Sequence, residues 1–518
     1  MFRPNPMLLR DLLGLSNLRD FYLKGSGNQL VTDLSLRGDQ CTEGSAFIAI
    51  RGNQQDGHEY INQAIAAGAQ TIFALEPVPV PQGITTVVMK DTRAAVGELA
   101  STFFDHPSDK MTLAAVTGTN GKTSTAWLMA SIFRSAGLKT GLMGTLGAQW
   151  GQANPLRDIH NTTPDALSMA RLLAEMYRDG IRAVALEASS HGIDQERLAG
   201  LNIDCAALTN ITQDHLDYHK TFEHYVNTKK RLFFECLKQN RAPWAVFNLD
   251  DQSGSKFSEE YVGNQKTFTS NGRIDADVVC TNIRHQLNNT LFDLRMGCTT
   301  ITVELPLVGE FTVSNAAAAA SMAFSLGVPA DYIAQGIQSV LPVPGRFEVL
   351  DEGQPFRVVV DYAHTPDALE KTLRTARRLC ARNLICVFGC GGDRDKSKRP
   401  LMGRVVDHYA DQVILTNDNP RNEDPCQIAR EVLEGIDETS CLQILDRASA
   451  IERALYLAQP NDSVIICGKG HESYQELENG VRIPFNDREI ARMILQSMSM
   501  NWSLKASDAR NSMAGDFS

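Results

Sequence analysis

The sequence predicts an α/β protein of several domains built on largely parallel sheets. Apolar strand-like runs alternate with helical stretches almost throughout the chain, the pattern of strands joined by crossover helices. Its 518 residues also exceed what one hydrophobic core usually organises. The composition, 43% hydrophobic and 21% charged, is that of an ordinary globular protein. A formal net charge of −11 argues against a general nucleic-acid or anionic-membrane binder. It leaves room for a basic pocket around an anionic small molecule. No apolar run reaches the length of a membrane span. The first twenty residues, with Arg3 and Arg10, lack a signal peptide's apolar region and read as mature cytoplasmic sequence. The 11 cysteines show neither a CxxC pair nor a zinc spacing, so they read as reduced structural thiols.

Three blocks follow in order. Residues 1–107 hold a strand at 46–50 and a helical stretch around 60–68. Residues 108–342 open with a strand at 113–116 and place another at 183–186. Residues 343–500 begin at the Pro344-Gly345 turn and contain strands at 357–361, 384–388, 412–415 and 463–467, a Rossmann-like unit. Residues 501–518 are polar and small, the composition of a disordered tail.

The second block opens on a phosphate loop. Thr117-Gly-Thr-Asn-Gly-Lys-Thr123 follows a strand and precedes a helix whose apolar face is Leu128, Ile132 and Phe133. Gly118 and Gly121 let backbone N–H groups approach phosphate oxygens, Lys122 reaches the outer phosphates, and the Thr123 hydroxyl suits Mg²⁺. Val116 stands where the general phosphate-loop pattern has glycine. Glu187, at the end of the 183–186 strand, lies where α/β sheets place catalytic groups.

The loop resembles that of the Mur ligase family, which also includes folylpolyglutamate synthases, and the resemblance runs over nearly the whole chain. It implies ATP binding by Gly118, Thr119, Asn120, Gly121, Lys122, Thr123 and Ser124, joined by Asn315, Arg346 and Asp361. It implies catalytic roles for Lys122, Lys229 and His215. It further implies a pair of Mg²⁺ ions at Thr123, Glu187, His215 and Lys229, the lysine carbamylated by CO₂; a carbamate would turn a cation into an oxygen donor suited to a hard metal. Asn161, Thr162, Thr163, Ser189, Gln195 and Arg197 match the segments that hold the UDP-muramoyl substrate. Members usually carry Asp-Ser-Arg where this chain has Arg37-Gly38-Asp39, so no uridine contact is implied by number.

Asp418-Asn-Pro-Arg421 resembles the motif of members that add meso-diaminopimelate, in which Asp418, Asn419, Pro420 and Arg421 meet the amino acid together with Arg394, Gly468 and Glu472. Diaminopimelate differs from lysine by a second carboxylate, which a guanidinium can pair. The implied activity is an ATP-dependent amide-forming ligase, working as a monomer on ATP, a UDP-muramoyl dipeptide and meso-diaminopimelate. Ligation of L-lysine, a folylpolyglutamate-synthase-like reaction, and a non-catalytic nucleotide switch are the alternatives.

Overall fold

The computed structural model describes residues 5–16, 18–52, 55–151, 156–159, 161–237, 241–286, 288–437 and 441–499; the tail at 501–518 lies outside them. Among the described residues the chain is α/β, with three main sheets of five, ten and six strands. No described helix is long and apolar enough to cross a membrane.

The first sheet runs Phe21–Lys24, Thr85–Met89, Thr71–Ala74, Ala46–Ile48, Leu34–Ser35, parallel except at Phe21–Lys24. The expected helix at 60–68 is Ile61–Ala66, entered through a 3₁₀ turn at Gly57–Tyr60. The sheet's core does not close on itself. Leu99, Ala100 and Phe103 of the helix Thr92–Phe103 share one buried cluster with Ala166, Leu167, Ala170 and Ala174 of Ala166–Arg178, from the second block. Gly97 makes this approach possible, since a Cβ there would collide with the Ala199 backbone.

The central sheet orders its strands Gly147–Trp150, Thr140–Gly144, Ala183–Glu187, Thr112–Thr117, Cys205–Leu208, Trp244–Asn248, Asn264–Thr269, Val278–His285, Thr290–Met296, Thr299–Leu305. The interior strands are parallel, and their near-continuous Ala, Val and Leu runs reflect burial on both faces. One face packs on Lys122–Ser135 and Glu310–Ser325, the other on Ala166–Arg178 and the helical segments after Phe222. Register decides where the chemistry sits. Glu187 pairs with Val116 and Leu208 with Thr117, so the phosphate loop, Glu187 and the loop at 209–215 leave the sheet at one edge.

The third sheet runs Glu348–Leu350, Arg357–Asp361, Ser463–Cys467, Leu384–Phe388, Gln412–Leu415, Cys441–Gln443. The interior strands match the sequence expectation. The outer two were not anticipated, because short edge strands carry too few residues to show a period. Asp361 pairs with Cys467 and Phe388 with Leu415, so the loops at 389–396, 416–421 and 468–472 emerge side by side. This is the edge where parallel α/β sheets take ligands.

Candidate functional site

The helix Lys122–Ser135 begins at Gly121, whose φ of 86° is left-handed, and no side chain caps it. Its first-turn N–H groups are thus left for an anion. Gly118 has φ 148°, and a Cβ there would collide with the Thr209 hydroxyl; one at Gly121 would collide with the Asn315 amide. Glycine is required at both positions, and Asn315 is packed directly on the loop. Lys122 Nζ donates to the Gly118 and Thr119 carbonyls, each at 3.0 Å. Burial pulls its pKa down, opposed by Glu187 and Asp214. Thr119 Oγ1 bonds Tyr225 Oη at 3.0 Å, and Thr123 and Ser124 are buried at the helix start.

Arg346 reaches this loop from the third block. Its Nη2 donates to Thr123 Oγ1 at 3.1 Å, and its guanidinium lies 4.2 Å over the Tyr362 ring. Asn120 Nδ2 donates to Asp367 Oδ2 at 2.7 Å. Asp361 behaves differently from its companions. Its carboxylate accepts from Phe347 N at 2.7 Å, Ala363 N at 2.9 Å and Thr372 Oγ1 at 3.0 Å. It holds the turn that carries Arg346.

Lys229 is 1% exposed, and its Nζ donates to the Gly118 carbonyl at 2.8 Å. Burial, then the nearby Lys122 charge, pushes its pKa well below an ordinary lysine's, against the pull of Asp214. That favours a neutral, nucleophilic amine. His215 sits at φ 55° with its ring 4.9 Å from and perpendicular to that of His191. Burial drives His215 toward the neutral imidazole, with Asp214 opposing. Burial alone would raise Asp214, but His215, Lys398 and His364 together hold it below the usual carboxylate range. Glu187, 2% exposed, accepts from Thr145 N at 2.8 Å and Thr145 Oγ1 at 3.0 Å. Among the described residues no three His, Cys, Asp or Glu side chains close on one point. The donors beside the loop are a hydroxyl at Thr123, a carboxylate at Glu187, an imidazole at His215 and the Lys229 amine. With phosphate oxygens and a carbamate added, this set fits a hard cation such as Mg²⁺.

The segment ending at Thr163 folds against the Glu187 edge. Thr163 Oγ1 donates to Glu187 O at 2.8 Å and accepts from Ser189 N at 3.0 Å, while Thr162 Oγ1 is 3.1 Å from Thr145 Oγ1. Arg197 Nη1 donates to Thr163 O at 2.7 Å and its Nη2 to Gln195 Oε1 at 2.6 Å. Asn161 is exposed at the start of this segment. In the first block, Arg37 and Asp39 pair with each other at 2.9 Å on the surface.

On the third sheet, Asn419 Nδ2 donates to Glu472 Oε2 at 2.9 Å, and Lys469 Nζ bridges Asn419 Oδ1 at 2.9 Å and Glu472 Oε2 at 2.7 Å. Arg421 has φ 51°; its Nε donates to Glu476 Oε2 at 3.2 Å and its Nη1 to Gly392 O at 2.7 Å. The Pro420 carbonyl lies against Gly392, and a Cβ at Gly468 would be 2.5 Å from Asp418 Oδ2. Arg394 lies beside Gly391, as Arg421 Nη1 does, but its side chain is 47% exposed and its Nη1 is 3.8 Å from Asp217 of the second block.

Three family descriptions match in succession: "Mur ligase family, catalytic domain" over 31–104, "Mur ligase middle domain" over 116–323, and "Mur ligase, glutamate ligase domain" over 345–470. A UDP-N-acetylmuramoyl-L-alanyl-D-glutamate--2,6-diaminopimelate ligase of Geobacillus kaustophilus is 41% identical over 92% of this chain and 97% of its own. The chain belongs to the Mur ligase family. The like-named ligase of Aquifex aeolicus is 39% identical over 90% of this chain and 94% of its own. A solved structure of such a 2,6-diaminopimelate ligase superposes with a TM-score of 0.66 at 33% identity, covering 95% of this chain and 99% of the other. A Thermotoga maritima MurF ligase solved with ADP shares the fold, with a TM-score of 0.62 at 19% identity, over 90% of this chain and 96% of its own.

Several residues of this Mur ligase's site escaped sequence reasoning. Lys469 and Asp214 sit inside or beside recognised motifs and were passed over as spacers. Asp367 follows Asp361 closely and Glu476 follows Glu472 closely, and both were passed over in the same way; Thr145 lies far from any motif, and only the packing brings it in.

Proposed function

We propose that this Mur ligase joins meso-diaminopimelate to the D-glutamate of UDP-N-acetylmuramoyl-L-alanyl-D-glutamate, with ATP, in building a peptidoglycan precursor. The observation that carries this reading is the pairing of an uncapped phosphate loop with the Asp418-Asn-Pro-Arg421 turn, in a chain 41% identical to a 2,6-diaminopimelate ligase.

In this reading the γ-phosphoryl group of ATP passes to the D-glutamate γ-carboxylate, which gives an acyl phosphate. The amine of diaminopimelate then attacks the acyl carbon, phosphate leaves, and the amide forms. A free carboxylate is a poor electrophile, hence the need for ATP. The loop amides and Lys122 bind and orient the phosphates and neutralise their growing charge. Arg346, from the third block, adds a second cation beside Thr123. Thr163, Ser189, Gln195 and Arg197 would hold the UDP-muramoyl substrate, where a guanidinium suits a carboxylate or pyrophosphate. Arg421 would take the distal carboxylate of diaminopimelate and Glu472 an ammonium group. The magnesium ions, held by Thr123, Glu187, His215 and the Lys229 carbamate, would supply charge neutralisation at the transferring phosphoryl. Packing of the third block over the loop would keep water from the acyl phosphate.

The three functional divisions are 1–107 for the UDP end, 108–342 for ATP and 343–500 for the amino acid, in a cytoplasmic monomer. The test is phosphate release with ATP, Mg²⁺ and the UDP-muramoyl dipeptide, offering meso-diaminopimelate or L-lysine, with Arg421→Ala alongside. The expected result is turnover with diaminopimelate only, with kcat/KM lower by about 10²-fold in the variant. Turnover with L-lysine at an equal rate would refute the assigned amino acid, and none with either would refute the reaction.

A further inference from the structure

The strand Tyr474–Glu476 pairs with Arg482–Pro484 in a small antiparallel hairpin outside the large sheets. Nothing in the hairpin's sequence marks it as functional, yet it is bonded to each end of the Asp418-Asn-Pro-Arg421 turn. Gln475 Nε2 donates to Asp418 O at 2.6 Å, and Glu476 N donates to Asn419 Oδ1 at 2.8 Å. Arg421 N donates to Glu476 O at 3.2 Å. Arg421 Nε also donates to the Glu476 carboxylate, at 3.2 Å. The two side chains are 18% and 21% exposed, so solvent screens the pair only in part.

Arg421 is held on two edges. Glu476 takes Nε and the Gly392 carbonyl takes Nη1, while among the described residues Nη2 donates no hydrogen bond. The backbone at φ 51° is a conformation that non-glycine residues adopt only where surrounding structure enforces it. Here Glu476 supplies two of the contacts, through its carbonyl and its carboxylate, and the loop at 392–393 supplies others.

We propose that Glu476 is a positioning residue for recognition of the amino-acid substrate. It fixes the plane of the Arg421 guanidinium, so that the Nη2 edge is presented to the second carboxylate of a diamino dicarboxylic acid. This rests on the ligase reading above. An arginine ordered before binding loses less rotamer freedom when the carboxylate arrives, so ordering appears as affinity for the substrate that has that carboxylate. Glu476 touches neither the phosphate loop nor the segment at 161–163, so its effect is confined to one substrate.

The test measures steady-state kinetics of the full chain and of Glu476→Ala and Glu476→Gln, with ATP, the UDP-muramoyl dipeptide and meso-diaminopimelate varied in turn. The expected result is a KM for diaminopimelate raised roughly tenfold in Glu476→Ala. The other two KM values and kcat should stay within about threefold of the parent, an allowance well below that effect. Glu476→Gln keeps an oxygen acceptor for Nε and should recover part of the loss. An unchanged KM for diaminopimelate in Glu476→Ala would overturn the proposal. So would a parallel loss in all three KM values with a lowered melting temperature, which is the signature of a purely structural hairpin. If the parent chain itself fails to turn over diaminopimelate, the ligase reading falls first and the positioning role with it.

Discussion

A buried lysine is an expensive residue to keep charged, and Lys229 is 1% exposed with a second lysine beside it. Burial and like charge act in the same direction and favour the free amine. A free amine pressed against the phosphate loop is the form that adds CO₂. The protein equilibrated with ¹³C-bicarbonate should therefore show a carbamate resonance that is absent in Lys229→Ala. That variant should also lose about 10²-fold in kcat, the scale of removing a preorganised charge from a phosphoryl-transfer site. Lys230→Ala, next in sequence but half-buried and paired with Glu260, away from the phosphate loop, should retain both. The same resonance in Lys229→Ala would refute the assignment. Asp361 teaches a different lesson at this scale. The family resemblance implies an ATP contact for it, and in this structure its carboxylate accepts from Phe347 N, Ala363 N and Thr372 Oγ1. Residue type and strand-end position were legible; the direction of the side chain was not.

Among the elements, the loops after Gln412–Leu415 and Ser463–Cys467 must stay in fixed relation if Arg421 and Glu472 are to meet one amino acid. Arg447 ties them together. Its Nε and Nη2 donate to Asp487 at 2.8 and 2.7 Å, its Nη1 to Asn417 O at 3.1 Å and its Nη2 to Cys467 O at 2.9 Å. Both side chains of the ion pair are 0% exposed. Asp487→Ala would leave a buried guanidinium without its counter-charge, at a cost of about 3–5 kcal/mol. Hydrogen exchange at Ser463–Cys467 reads that cost locally, which avoids fitting a multi-domain chain to one transition. A change below about 1 kcal/mol would show that the backbone carbonyls suffice to hold Arg447.

Across the whole molecule, the first two blocks and the last two meet in physically different ways. The first block shares an apolar cluster with Ala166–Arg178, and Gly97 and Gly200 bring the chains to backbone contact. The third block meets the second through polar bonds such as Asn120–Asp367 and Arg346–Thr123, with a smaller apolar contact in which Val308 and Phe311 of the second block join the cluster around Phe347. Polar contacts exchange readily with water, whereas a shared core does not, so movement is expected at the second interface rather than the first. Gly97→Val should overpack the first interface by about 1–3 kcal/mol and lower the melting temperature by about 2 °C or more. It should also raise KM for the UDP-muramoyl substrate more than KM for ATP. A variant that melts and turns over like the parent would show that the contact at Ala199 yields freely.

By itself the sequence determined the α/β class, the parallel interior strands, the phosphate loop and the Asp418-Asn-Pro-Arg421 turn. Each of these depends on local pattern: period, glycine placement, or a short run of fixed chemistry. Tertiary structure alone decided that the core of the first block is completed by a helix of the second, and that Asp361 faces inward. It also brought Thr145 to Glu187 and Glu476 to Arg421. Those facts depend on strand order and register between segments tens of residues apart, and no local period encodes which distant side chain a packed sheet brings alongside.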